Sequence, residues 1–244
     1  MIYLSGFHAI EEQLRSGKGC AALLVGKPGP RAKELEALAV KRRVPVNRVG
    51  TAELDRLAPG HKGIVLEAEG EAGSPDTSVE AYLADLGKTP DALVIILDEV
   101  TDPYNYGAIL RSCGQFGADL VITRKRRIAG HAEAIARASA GASAWVPRAE
   151  SSNLQRSIAA LKDAGFWIYG AAMEGGVVWE RDLRGRIALV LGGEGSGLSR
   201  LLRECCDALV SIPTLGKLDS LNVSVAAGVL MYEALRQRKK QPRS

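Results

Sequence analysis

Two α/β domains, the second built on a parallel sheet, are predicted by three observations. Short apolar runs alternate with helix-period segments along nearly the whole 244-residue chain. One of these runs, Ala92 to Leu97 (ALVIIL), is apolar at every position, as a strand buried on both faces must be. The alternation breaks at Gly70 to Ser78 (GEAGSPDTS), where Gly, Pro, Ser and acidic residues take over. The expected organisation is therefore an N-terminal domain over 1–70, a linker over 71–89 and a larger domain over 90–244.

Taken in order, the first domain reads as a small α/β sandwich. A helix from Phe7 to Arg15 is followed by a strand from Ala21 to Val25, a helix from Arg31 to Arg43 and a strand from Val44 to Val49. A short helix after Thr51 and a strand from Gly63 to Ala68 complete it. The second domain opens with the Ala92–Leu97 strand, then a helix over about 105–117, a strand from Leu120 to Thr123 and a helix over 131–140. A strand from Ala144 to Pro147, a helix over 152–164 and strands from Trp167 to Ala171 and Ile187 to Leu191 follow. The last elements are a helix over 198–205, a strand from Ala208 to Ile212 and a helix from Asn222 to about Arg238. Strands separated by helices imply a parallel sheet covered on both faces.

Composition narrows the function classes. With 46% hydrophobic and 25% charged residues the chain is of ordinary globular type. Its longest apolar stretch, Val223 to Tyr232, falls well short of the roughly 18 to 20 residues that span a bilayer, so no membrane role is expected. The N-terminus lacks the basic flank and cleavage site of a signal peptide. Four cysteines without a C-x-x-C, and three histidines, argue against structural zinc and a disulfide framework; a reducing cytoplasm and no metal are expected. The net charge of +4 is unevenly spread: residues 1–70 carry 11 basic and 8 acidic groups, while 71–90 carry 1 and 4. The connector is thus the part least suited to a polyanion.

The polar positions that a plain α/β fold does not need fall just after predicted strands, where open parallel sheets place their ligand crevice. Three segments stand out: Thr101 to Arg111 (TDPYNYGAILR), Leu191 to Ser199 (LGGEGSGLS) and Ile212 to Ser224 (IPTLGKLDSLNVS). The middle one nearly spells a phosphate-binding loop. However, its lysine position is Leu198, and Glu194 would set a negative charge against any phosphate. A dinucleotide fingerprint fails at the same leucine.

Together the three segments resemble the signature motifs of the SpoU branch of the SPOUT superfamily. The first has the form N-x-G-x-x-x-R (Asn105, Gly107, Arg111), the second is the G-x-E-G-x-G turn ending at Gly197 (Gly192, Glu194, Gly195, Gly197), and the third is I-P-x-x-G-x-x-x-S-L-N-V-S from Ile212 to Ser224. The start (Tyr3 to Ala9), His61 to Ile64, Ala138 to Ala142 and the close from Tyr232 are similar as well. The resemblance implies an S-adenosyl-L-methionine-dependent RNA ribose 2'-O-methyltransferase, most similar to those acting on guanosine of 23S rRNA. It also implies an N-terminal domain like small RNA-binding ribosomal proteins, a catalytic domain with a C-terminal trefoil knot, and a homodimer. A tRNA substrate, or a non-catalytic RNA-binding or assembly protein on the same fold, are the alternatives.

By the same resemblance Asn105, Arg111, Glu194, Ser220 and Asn222 are the expected catalytic residues. Leu191, Gly192, Gly193, Gly197, Ile212 and Leu221 are the expected donor-binding residues; Ala171 and Ala172, small residues ending another strand, are expected on the same crevice, with ordinary close packing as the alternative. A guanidinium with a pKa above about 12 is a poor base. Arg111 is therefore expected to orient the hydroxyl and stabilise the developing alkoxide, with Glu194 holding its fork and Asn105 its other face. Arg124, Lys125, Arg126 and Arg127, a run after a strand end, suit a phosphate backbone. In the first domain Arg42, Arg43, Arg48, His61 and Lys62 are further candidate RNA contacts. The final helix carries an i, i+3, i+4 apolar stripe that suits close packing, within the chain or across a dimer.

Overall fold

The computed structural model describes residues 2–16, 19–27, 29–58, 61–68, 76–124, 131–195, 197–216 and 220–239. The chain divides into two compact units, Met1–Ser74 with Ala140–Trp145, and Pro75–Ser139 with Val146–Ser244.

The first unit holds β1 (Ile2–Ser5), α1 (Phe7–Ser16), β2 (Cys20–Val25), α2 (Pro30–Lys41), β3 (Val46–Arg48), α3 (Thr51–Leu57) and β4 (Ile64–Ala68). Its sheet has the order β1-β4-β2-β3, with β2 and β3 parallel and β4 antiparallel to both β1 and β2. Alternation along β2 explains the layering. Leu23 and Val25 pack with Ile10 and Leu14 of α1 and Leu35 of α2, whereas Ala22 and Leu24 pack with Leu54 of α3. The sheet is therefore covered on both sides. β1 was not expected, because four residues beginning at the chain start are too few to show a period.

The second unit contains β5 (Asp76–Thr77), α4 (Val79–Asp85), β6 (Ala92–Leu97), α5 (Pro103–Phe116), β7 (Leu120–Arg124), α6 (Ala132–Ala138) and β8 (Arg148–Ser151). It continues through α7 (Leu154–Asp163), β9 (Trp167–Val177), β10 (Arg186–Leu191), α8 (Arg200–Cys205), β11 (Ala208–Ser211) and α9 (Val223–Lys239). The seven strands form one sheet in the order β11-β9-β10-β6-β7-β8-β5, and every pairing is parallel. β6 lies at its centre with all six residues buried, as its uninterrupted apolar sequence requires. From β6 the chain builds outward through β7 and β8, then crosses to the other side for β9 and β10. The order therefore reverses between β6 and β10, the place where such sheets open a crevice.

Two stretches of the second unit and its flank differ from the sequence reading. The stretch expected as a linker carries β5 and α4 from Asp76 onward, the helix capped by Ser78, whose Oγ accepts from the Ala81 amide at 3.0 Å. Ala142–Ala144 is a 3-10 turn, and the strand expected at Ala144–Pro147 lies instead at Arg148–Ser151. β8 needs little apolar sequence because its partner on one side is only the two-residue β5, and Ala149 is its one buried residue.

α5 carries the first motif and is fixed at both ends. Asp102 accepts from the Asn105 amide at 2.8 Å, Pro103 opens the helix, and Gly117 ends it in a left-handed conformation. α6 packs directly on this helix at Gly107, where an added Cβ would lie 2.5 Å from the Cβ of Ala138. The neighbouring Tyr106 is buried against Arg148 of β8, and burial pushes its phenol up to about 12. Among the described residues no helix is long and apolar enough to cross a membrane.

Candidate active site

At the carboxyl ends of β9, β10 and β11 the second unit opens a crevice of about 920 Å³. All eight residues expected at the donor crevice line it: Ala171 and Ala172 from β9, Leu191, Gly192, Gly193 and Gly197 from the β10 end and turn, and Ile212 and Leu221 from the segment after β11. The turn is closed by a bridge between Gly193 and Gly197, whose amide donates to the Gly193 carbonyl at 3.1 Å. Glycine at 192 is a steric requirement, since a Cβ there would sit 2.0 Å from the Gly197 backbone. Ser196 lies outside the described residues.

The three motifs meet through one side chain. The Asn105 amide nitrogen donates to Oε1 of Glu194, and its Oδ1 accepts from Nδ2 of Asn222 at 3.0 Å. Asn222 also starts α9: its Oδ1 accepts from the Ser224 amide at 2.9 Å and from the Val225 amide at 3.4 Å. The first turn of α5 and the segments following β10 and β11 are thereby tied together at the sheet's reversal point. Ser220 and Asn222 stand exposed on the crevice wall with Glu194.

Arg111 is placed differently from expectation. It does not pair with Glu194, whose Oε1 is taken by Asn105. Helical geometry gives the reason: six residues separate Asn105 from Arg111, about 9 Å along the axis and about 120° around it, so the two side chains leave α5 on different faces. Arg111 is exposed and makes no hydrogen bond or ion pair among the described residues.

The basic run also reads differently in part. Arg124 is turned inward, its Nε and Nη2 each 3.0 Å from Oδ1 of Asp98, a fully buried carboxylate. Oδ2 of the same aspartate accepts from the Ser199 amide at 3.1 Å. Arg124 thus neutralises a buried charge rather than presenting a free cation. Asp98 was missed by sequence reasoning, although a carboxylate directly ending a fully apolar strand needs a partner and was a legible signal. Lys125, Arg126 and Arg127 lie outside the described residues.

In the first unit Arg42 lines, with Arg15 and Lys41, a groove of about 500 Å³, and Arg43 follows it exposed. Arg48 forms a two-pronged ion pair with Glu36 at 3.0 and 2.8 Å. His61 does not stand out as a contact: its side chain is 6% exposed, Nδ1 accepts from the Gly63 amide at 3.0 Å, and Nε2 lies 3.1 Å from Asp55. It holds the turn into β4. The Lys62 ammonium rests 5.7 Å above the Phe7 ring.

Comparison with known proteins agrees with this architecture. The profile of the SpoU rRNA Methylase family matches residues 92–232, and one described as RNA 2'-O ribose methyltransferase substrate binding matches residues 3–72. A 23S rRNA (guanosine-2'-O-)-methyltransferase of Xanthomonas campestris pv. campestris is 41% identical over 217 residues, 87% of this chain and 86% of that protein. The enzyme of the same name from Coxiella burnetii is 39% identical over 239 residues, 96% of this chain and 95% of that one. The crystal structure of the SpoU methyltransferase AviRb from Streptomyces viridochromogenes, in complex with the cofactor AdoMet, superposes with a TM-score of 0.64 at 26% identity, covering 98% of this chain and 91% of that one. By these matches, and by the three motifs that Asn105 joins, the chain belongs to the SpoU rRNA methylase family.

Proposed function

We propose that this protein transfers a methyl group from S-adenosylmethionine to the ribose 2'-hydroxyl of a guanosine in 23S rRNA. The observation that carries the reading is the pair of hydrogen bonds by which Asn105 of α5 ties together Glu194 and Asn222, both on the wall of a glycine-lined crevice at the sheet's reversal point. The crevice fits the donor: where the Gly192 backbone packs on Gly197 no side chain is tolerated, so backbone groups reach its wall and can read an adenine edge. Leu191, Ile212 and Leu221 supply apolar contact around them. Bound there, S-adenosylmethionine supplies an electrophilic methyl group.

The residues divide the remaining work. Glu194 sets negative charge on the crevice wall, and Asn105 and Asn222 hold it in place. Arg111, exposed and unpaired among the described residues, orients the ribose hydroxyl and stabilises the alkoxide as it loses its proton. Ser220 stands on the same wall as a further hydroxyl.

The N-terminal unit, with the Arg15, Lys41 and Arg42 groove, binds the RNA, and Lys125, Arg126 and Arg127 contribute three further cations to it from the sequence of the catalytic domain. The segments after β10 and β11 form the trefoil knot of the SPOUT fold. The protein acts as a homodimer in the cytoplasm: Val225, Val229 and Tyr232, at i, i+4 and i+7 of α9, are 51%, 40% and 56% exposed, an apolar stripe suited to a second copy. The test is methylation of purified 23S rRNA with labelled donor, followed by mapping of ribose methylation. One 2'-O-methylguanosine is expected; label confined to tRNA, or none, overturns the reading.

A further inference from the structure

β9 carries an irregularity that neither the sheet nor the motifs explain. Gly170 is opposite Leu209, but the next paired residue on β11, Val210, is opposite Gly176, so residues 171–175 lie outside the regular register. The base of this bulge is pinned. A Cβ on Gly175 would lie 2.5 Å from the Val210 nitrogen, and the Gly175 carbonyl accepts from Ser211 Oγ at 2.8 Å. Its middle, Met173 and Glu174, lies on the crevice wall, and Glu174 forms an ion pair with Arg203 of α8, which lines the crevice too. Both partners are well exposed, so the pair adds little to stability.

Among the described residues that line the crevice, Glu174 and Glu194 are negative and Arg203 is positive. S-adenosylmethionine carries the complementary set: a sulfonium, an ammonium and one carboxylate. The strand order separates the groups. Glu194 is bonded to Asn105 where β10 meets β6, whereas Glu174 and Arg203 lie on the β9 flank, away from that junction. A cation is tolerable only away from a sulfonium, and Arg203 is placed on that other flank.

We propose that Arg203 and Glu174 recognise the amino-acid end of the donor, Arg203 taking the carboxylate and Glu174 the ammonium. The assignment rests on the donor reading given above. The two side chains exchange their mutual ion pair for two pairs with the ligand, so no charge is left without a partner in either state.

Calorimetry with S-adenosylhomocysteine and 5'-methylthioadenosine tests this, because the second ligand keeps adenine, ribose and thioether but lacks the amino-acid end. Arg203→Ala is expected to weaken S-adenosylhomocysteine at least tenfold while leaving 5'-methylthioadenosine within about twofold. Glu174→Gln shifts the same ratio in the same direction. The exchange Glu174→Arg with Arg203→Glu can re-form the ion pair with its polarity reversed; it is expected to keep the melting temperature and still lose S-adenosylhomocysteine affinity. Equal losses for the two ligands, or full affinity in the exchanged protein, overturn the assignment and leave the pair a wall of the crevice. Wild-type protein that binds neither ligand overturns the donor reading itself.

Discussion

Asn222 donates to Asn105 at 3.0 Å across 117 positions of sequence, and that one bond joins the start of the last helix to the start of the central one. Because the same Asn105 side chain donates to Glu194, its amide is used in both directions. Asn105→Ala should slow methyl transfer at least tenfold. Asn105→Asp should be worse, since it sets a second carboxylate against Glu194. Single-turnover rates at saturating donor decide; a wild-type rate for Asn105→Asp would make the bridge dispensable.

Arg111→Ala should abolish methyl transfer and leave donor affinity nearly intact, as its side chain is not among those lining the crevice. The expected loss is at least about 3 kcal/mol of transition-state stabilisation. Arg111→Lys keeps the charge but not the planar fork, and a large loss is expected there as well. Near wild-type turnover in either variant would make Arg111 structural.

Gly192→Ala places a methyl carbon 2.0 Å from the Gly197 backbone, so the turn must open. S-adenosylhomocysteine binding should fall by roughly two orders of magnitude, about 2.7 kcal/mol. Retained micromolar affinity in calorimetry would mean that the turn has slack.

Arg124→Ala leaves the fully buried Asp98 carboxylate without its counter-ion. A loss of about 3 kcal/mol in the unfolding transition of the catalytic unit is expected. Asp98→Asn combined with Arg124→Met should recover part of it. An unchanged denaturation midpoint, together with a shallower salt dependence of RNA binding, would instead make Arg124 a phosphate contact.

Burial pushes the Cys113 and Cys206 thiols from 9.0 up to about 12. The neutral thiol is the form that the fold favours, so its contribution is complete below pH 9 and is lost as pH rises from 9 towards 12. The slope is about 1.4 kcal/mol per pH unit for each thiol. Denaturant midpoints at pH 8, 9.5 and 10.5 should fall progressively, and Cys113→Ala should flatten the decline. An equal slope in that variant would contradict the assignment.

Much of the fold was legible because its strands carry their own signature. ALVIIL reads as a strand covered on both faces, and the resemblance of the three segments to the SpoU signatures marked residues that line the crevice. What escaped was set by distance. Nothing near Glu194 says that it will meet Asn105 rather than Arg111, because that choice depends on which face of α5 looks toward the turn after β10. His61 and Arg124 look like RNA contacts in sequence, and only their partners Asp55 and Asp98 reveal that each is engaged within the fold. The β9 bulge was hidden for a similar reason, since Ala171 to Gly175 differs from a regular strand only in what β11 does beside it.

Every described residue lining the crevice lies between 171 and 230, and none comes from the first unit. During synthesis the segment holding β1 to β8 emerges before these residues, and none of its described residues lines the crevice. A chain stopped before Leu221 would therefore keep the groove at Arg42 while lacking the wall that Leu221 to Leu230 give the crevice, Asn222 included. Such a fragment would occupy its RNA unproductively and act as a competitor in trans, which co-expression with the full-length protein would reveal as a drop in ribose methylation.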